Sequence, residues 1–168
     1  MRLLVVRHAA AEDKAEFART ARSDDLRPLT ADGKRDMREG ARGLRNVVPK
    51  VDVVATSPLV RAIETAEILG AVYEREHVVV DALRPESPYD DLARWAREHA
   101  KEDVVVIVGH EPHLSGLVSW LLAGASASFV DLKKGAACLL EIEDTAAAGC
   151  AMLLWSVTPR QLRALGRR

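Results

Sequence analysis

The chain has 168 residues, enough to bury one full core and too few for two. Its hydrophobic fraction of 48% and charged fraction of 29% are those of an ordinary globular protein. A formal net charge of −1 offers neither nucleic acid nor a membrane surface a bulk electrostatic hold.

The two cysteines, Cys138 and Cys150, have no C-x-x-C spacing and read as buried thiols of a reducing compartment rather than a disulfide framework or a zinc site. The apolar run in Met1–Arg7 is too short for a signal peptide or a membrane span. The expectation is one domain over 1–168, a cytoplasmic monomer with no cofactor and no nucleic-acid or membrane partner.

Residues 2–6 read as a buried strand, apolar, β-branched at its end and bounded by charge. Residues 9–28 are polar and lack a clean period, so they read as loop with a turn of helix around Glu16 to Ala21. So long an irregular stretch suits an active-site rim. Thr30 caps the next helix, Asp32 suits its first turn, and Met37, Ala41, Leu44 and Val48 form one apolar stripe. Arg35, Arg38, Arg42 and Arg45 fall mostly off that stripe and read as a solvated face.

Residues 51–56 are a second strand. Ser57-Pro58 starts a helix, with proline at the first helical position; Leu59, Ala62, Ile63, Ala66 and Leu69 form its buried face, and Gly70 closes it. His77 to Val80 make a short third strand. Ser87-Pro88-Tyr89-Asp90 starts a helix with Leu92, Ala93, Ala96 and Ala100 inward.

Val104 to Val108 is uninterruptedly apolar, as a central parallel strand covered on both faces requires. Gly109-His110-Glu111-Pro112 breaks it, and a helix follows with Leu114, Leu117, Val118, Leu121 and Leu122 on one side. After a loop over 124–135, runs 136–142 and 150–157 pair as an antiparallel hairpin across the short connector 143–149. Thr158-Pro159 starts a basic helix ending near Gly166. The result is an α/β fold, a three-layer α/β/α sandwich around a mostly parallel mixed sheet with a C-terminal antiparallel hairpin.

Three strand ends carry the chemistry: Arg7-His8, Ser57-Pro58-Leu59-Val60-Arg61, and Gly109-His110. Carboxyl ends of parallel strands point the same way, so these groups converge in one crevice. Helix N-termini beside Arg61 and His110 favour an anion there, and two arginines with two histidines suit a phosphate dianion.

Plainer readings hold for other residues. The His110-x-x-His113 spacing is broken by Pro112 and has no third metal ligand, which leaves His113 as a rim residue. His77 and His99 are exposed or satisfied structural histidines. Ser57 is a helix cap first and a phosphate contact second, and Glu111 a charge at a helix N-terminus rather than a catalyst. Trp95, Trp120 and Trp155 belong to the core or its edge, and Arg160 to Arg168 to a solvated helix end.

Taken together, these motifs resemble the histidine phosphatase superfamily, of phosphoglycerate-mutase-like fold. Its Arg-His-Gly signature stands here as Arg7-His8-Ala9, with alanine in third place. Its Ser-Pro-x-x-Arg-Ala-x-x-Thr segment is matched by Ser57 to Thr65, and its second histidine by Val108-Gly109-His110. The short length, the Arg27-Pro28-Leu29-Thr30 stretch and the lack of an inserted cap look most like SixA-type phosphohistidine phosphatases.

The resemblance implies that His8 attacks phosphorus and becomes a phosphohistidine that water hydrolyses, without metal. Arg7, Arg61 and His110 would hold the phosphoryl oxygens. A backbone carbonyl would fix the other nitrogen of His8. Asp81 and Glu86 are candidate general acids, neither aligning cleanly with the acid of larger members, and Glu12 in the loop after His8 is another; the lack of a clear acid counts toward a P–N substrate.

The leading expectation is therefore removal of phosphate from phosphohistidine in a protein, since an uncapped crevice admits a macromolecular side chain. A small phosphorylated metabolite, such as a sugar or nucleotide phosphate, is the alternative substrate. A non-catalytic phosphate-binding sensor is the alternative of another class.

Overall fold

A computed structural model describes residues 1–125, 127–143 and 145–167. Strands β1 (Arg2–Arg7), β2 (Val53–Thr56), β3 (His77–Val79), β4 (Val104–Gly109), β5 (Ala137–Ile142) and β6 (Ala151–Val157) form one mixed sheet in the order β3-β2-β4-β1-β5-β6. The first four are mutually parallel where they meet; β5 runs antiparallel to β1, and β6 antiparallel to β5.

Helices α1 (Lys14–Ala18), α2 (Ala31–Val47), α3 (Val60–Tyr73), α4 (Tyr89–Glu98), α5 (His113–Ala123) and α6 (Pro159–Gly166) complete the fold. Successive side chains of a strand point to opposite faces, and the central strands are apolar on both. Leu4, Val6, Val54 and Val106 pack with the α2, α3 and α6 layer; Leu3, Val5, Val105 and Ile107 pack with α4 and α5. The predicted stripe Met37, Ala41, Leu44 and Val48 is wholly buried, and Arg38, Arg42 and Arg45 lie exposed. Among the described residues no helix is long and apolar enough to cross a membrane.

Several local expectations need correction. The first helix spans Lys14–Ala18 because Asp13 accepts the Ala15 and Glu16 N–H groups, and a single 3-10 turn follows at Asp24–Leu26. Helix α3 starts at Val60, so Pro58 precedes it, and no side chain caps it. Gly70 does not end α3. The helix runs on to Tyr73 and stops at Glu74, whose φ of 56° is left-handed, with Arg75 N–H donating back to Gly70 O at 3.0 Å. A Cβ at Gly70 would stand 2.4 Å from Arg75 O, so glycine is what lets that turn fold back.

Helix α4 ends at Glu98, leaving Ala100 exposed. Cys138 pairs across the sheet with Val5 and Ser156, so the two free cysteines do not face each other. His99 lies against Trp95, ring centroids 4.4 Å apart. Ser126 in the expected loop, Asp144 in the hairpin connector and Arg168 at the basic end lie outside the described residues.

The register is what positions the crevice. Arg7 lies opposite Gly109 and Thr56 opposite Val108, so β1, β2 and β4 end at one level and deliver His8, Ser57 and His110 side by side.

Candidate active site

His8 follows β1 directly, and its backbone N–H donates to Gly109 O at 3.0 Å. Its Nδ1 stands 2.7 Å from Ala9 O. A carbonyl only accepts, so Nδ1 carries the proton and Nε2 keeps the lone pair.

The next residue is tied down from α3. Ala9 N–H donates to Thr65 Oγ1 at 3.1 Å, and that hydroxyl donates to Arg61 O at 2.7 Å. One threonine thus joins the turn bearing His8 to the turn bearing Arg61. Alanine at position 9 costs no backbone strain: among the described residues only Ala21 and Glu74 are non-glycine residues with positive φ, and the Ala9 methyl is buried. Ala10 needs glycine beside it. A Cβ at Gly33 would stand 2.1 Å from Ala10 O, where α2 begins.

Arg7 donates through Nη1 to Leu132 O at 2.7 Å, and Arg61 through Nη1 to Asp24 O at 2.9 Å. His110 Nε2 lies 2.8 Å from Ser57 Oγ, and the His8 and His110 ring centroids are 5.1 Å apart. These four side chains share a crevice of about 330 Å³ with Lys14, Arg27, Arg84 and Lys134 on its walls. Arg7 Nε, Arg61 Nε and His110 Nδ1 are buried donors or acceptors with no partner among the described residues.

The electrostatics keep both rings neutral. Burial lowers His8 to about 3, opposed by its bond to Ala9 and reinforced by Arg61, Arg7 and Arg27. Burial lowers His110 as well, followed by His8, Arg61, His113 and Arg27. A neutral imidazole with a free nitrogen among guanidinium groups is a competent nucleophile toward a phosphoryl group. A dianion beside the rings acts on them with the opposite sign.

Of the residues expected from sequence, Arg7, His8, Arg61 and His110 come together. Ser57 does not join them. It is fully buried, not part of the crevice wall, and its hydroxyl meets His110; only a 3.4 Å contact from Leu59 N remains of the expected cap. Glu12 is exposed and off the crevice wall; its backbone carbonyl accepts from Arg27 Nη1 at 2.8 Å. Asp81 sits at the surface, 86% exposed, 3.3 Å from Arg84. Glu86 is on the wall but exposed. His113 is a core residue, not a rim one: Nε2 donates to Ser87 O at 2.9 Å and the ring packs on Tyr89.

Sequence reasoning missed Arg27, which is 8% exposed, bonds Asp24 at 2.8 Å and lines the crevice. Its signal was present in the Arg27-Pro28-Leu29-Thr30 stretch. Glu64 holds that stretch, accepting from Leu29 N at 2.7 Å and Lys34 Nζ at 2.6 Å. Glu111, read as a helix charge, also lies on the crevice wall. Among the described residues no group of three or more His, Cys, Asp or Glu is placed to hold a metal ion.

Residues 3–87 match the histidine phosphatase superfamily (branch 1). An uncharacterized protein of Picosynechococcus sp. is 33% identical over 137 residues, covering 80% of this chain and 81% of its own. Among solved structures, the protein histidine phosphatase SixA complexed with tungstate superposes with a TM-score of 0.80 at 23% identity, over 96% of this chain and 99% of that one. The alpha-ribazole phosphatase of Shigella flexneri reaches 0.71 at 19% identity, over 95% and 97%. The chain belongs to the histidine phosphatase superfamily, and its class of activity is that of a phosphatase.

Proposed function

We propose that this phosphatase works through a covalent phosphohistidine on His8 Nε2, and that its substrate is a phosphohistidine side chain of a protein. One observation carries the mechanism: the Nδ1–H of His8 is committed to Ala9 O, which leaves Nε2 as the nucleophile in a ring kept neutral by burial. Arg7 and Arg61 would hold the equatorial oxygens, and His110, supported by Ser57, would complete the clamp as charge builds in the transition state. Arg27 adds a third guanidinium to the same field.

The substrate reading is supported by the borders of the crevice. Among the described residues the connections 80–88 and 124–136 are short and carry no inserted domain, which favours access by a side chain on a macromolecule. The fold shared with SixA is consistent with this.

The test is hydrolysis of a phosphohistidine peptide and of p-nitrophenyl phosphate, without added metal, by the wild type and His8→Ala. Both activities should vanish in the variant, and the peptide should be the better substrate. Faster turnover of the ester would replace the protein substrate with a small phosphomonoester. Activity surviving in His8→Ala would remove His8 as nucleophile.

A further inference from the structure

The crevice does not end at Pro85 and Glu86. Both residues also line a second hollow, an open groove of about 410 Å³. Pro85, Glu86 and Pro88 reach it from the connection 80–88 and Ser128 from the connection 124–136, with Pro112 and His113 between them at the start of α5. Its volume falls within the range of ligand sites, about 300–1,000 Å³.

The lining of the groove is unlike that of the crevice. Guanidinium, ammonium and carboxylate groups wall the crevice, whereas three proline rings and the ring of Tyr89 wall the groove. Glu86, at the junction of the two, is the one acidic or basic side chain along the groove apart from buried His113.

Packing fixes the floor. The Tyr89 ring rests on His113 and on Trp120, with centroids 5.3 and 5.9 Å apart, and His113 Nε2 donates to Ser87 O at 2.9 Å. A Cβ at Gly116 would stand 1.9 Å from the Tyr89 hydroxyl, so glycine on α5 is what lets the ring lie there. A wall of packed rings is formed before any ligand arrives, which lowers the ordering cost of binding.

Phe129 extends the apolar surface past Ser128. It is 62% exposed, and its N–H donates at 3.1 Å to Oγ of the fully buried Ser119, which pins the segment while the ring faces solvent. An exposed aromatic next to a preformed apolar groove marks a surface on which another molecule lands.

We infer that this groove binds the polypeptide flanking the phosphorylated histidine and takes an apolar side chain adjacent to it, an inference that rests on the protein-substrate reading above. The phosphoryl group occupies the charged crevice at His8. The chain that carries it leaves past Pro85 and Glu86, and a neighbouring leucine then meets proline and tyrosine rings instead of water. A small phosphomonoester that fits within the crevice would leave the groove empty.

The test compares two peptides, each with one phosphohistidine, flanked on both sides by leucine in the first and by glycine in the second. In the wild type kcat/KM should be roughly tenfold or more higher for the leucine peptide. Phe129→Ala removes the exposed ring. Ser128→Asp keeps an acceptor for Val130 N–H and sets a carboxylate at the edge of the groove. Each variant should cut the ratio between the peptides by roughly threefold or more. The ratio is taken within one enzyme, so a loss of folded protein cancels.

A wild-type ratio near one, or a ratio that both variants leave intact, overturns the inference while the protein substrate stands. If neither peptide is hydrolysed and p-nitrophenyl phosphate is, the protein-substrate reading fails, and the role of the groove falls with it.

Discussion

Ser57 Oγ lies 2.8 Å from His110 Nε2 in a buried setting, so the serine at the end of β2 orients the histidine at the end of β4. Ser57→Ala leaves a buried ring nitrogen without a partner. It should cost about 1–3 kcal/mol of stability, read by urea denaturation. In the steady state it should lower kcat more than it raises KM, because the ring loses its orientation while both arginines remain. An unchanged kcat would show that His110 is held by packing alone.

Stability should fall with pH through the two histidines. Their folded pKa values lie below the free value of 6.5, His8 at about 3. Below 6.5 the unfolded chain takes up protons that the folded chain refuses. This contribution is therefore fully present above pH 6.5 and is lost as pH falls toward 3, by at most about 1.4 kcal/mol per pH unit for each ring. Urea melts at pH 7.5 and 5.0 measure the slope, and ring NMR at pH 5.0 should find His8 neutral. A His8 ring that titrates near 6.5 would contradict the assignment.

Gly33→Ala should damage the site from a distance. The added methyl meets Ala10 O at 2.1 Å, and backbone cannot yield there as a flexible side chain would. The expected cost is about 1–3 kcal/mol, with a fall in activity as the Ala9-Ala10 turn moves His8. Thermal denaturation and p-nitrophenyl phosphate kinetics check both parts. A variant as active as the wild type would uncouple α2 from the nucleophile.

If the arginines hold the phosphoryl group as proposed, Asp24 competes with substrate for them. Its carboxylate reaches both Arg27 and Arg61 from the 3-10 turn. Asp24→Asn should lower KM for a phosphate ester by roughly threefold, a modest effect because the carboxylate is partly exposed. The gain should shrink as salt is raised. A higher KM would mean that Asp24 serves to hold the arginines in place, not to neutralise them.

Thr65 shows why the site was only partly legible. The segment Ser57 to Thr65 was recognisable as a unit, yet the role of its last residue depends on Ala9, 56 positions earlier in the chain. Ser57 was misread for the same reason: as a local cap it fits Ser-Pro, but the nearest buried partner for its hydroxyl comes from β4. Glu111 looked like a helix charge because its place on the crevice wall, near Arg7 and Lys134, joins segments far apart in the chain, which no local pattern records. Asp81 and Glu12 were attractive only while their surface positions were unknown.

By itself the sequence determined the sheet and the four groups at its carboxyl edge. Continuous apolar runs must be covered on both faces, and a polar residue just after such a run must emerge at the strand end. That reasoning placed Arg7, His8, Arg61 and His110 in one crevice. Only the tertiary structure decided which nitrogen of His8 is free and which buried hydroxyls hold His110 and the turns bearing His8 and Arg61. Those properties are set by desolvation and by hydrogen bonds between distant segments, and such contacts exist only once the layers have packed.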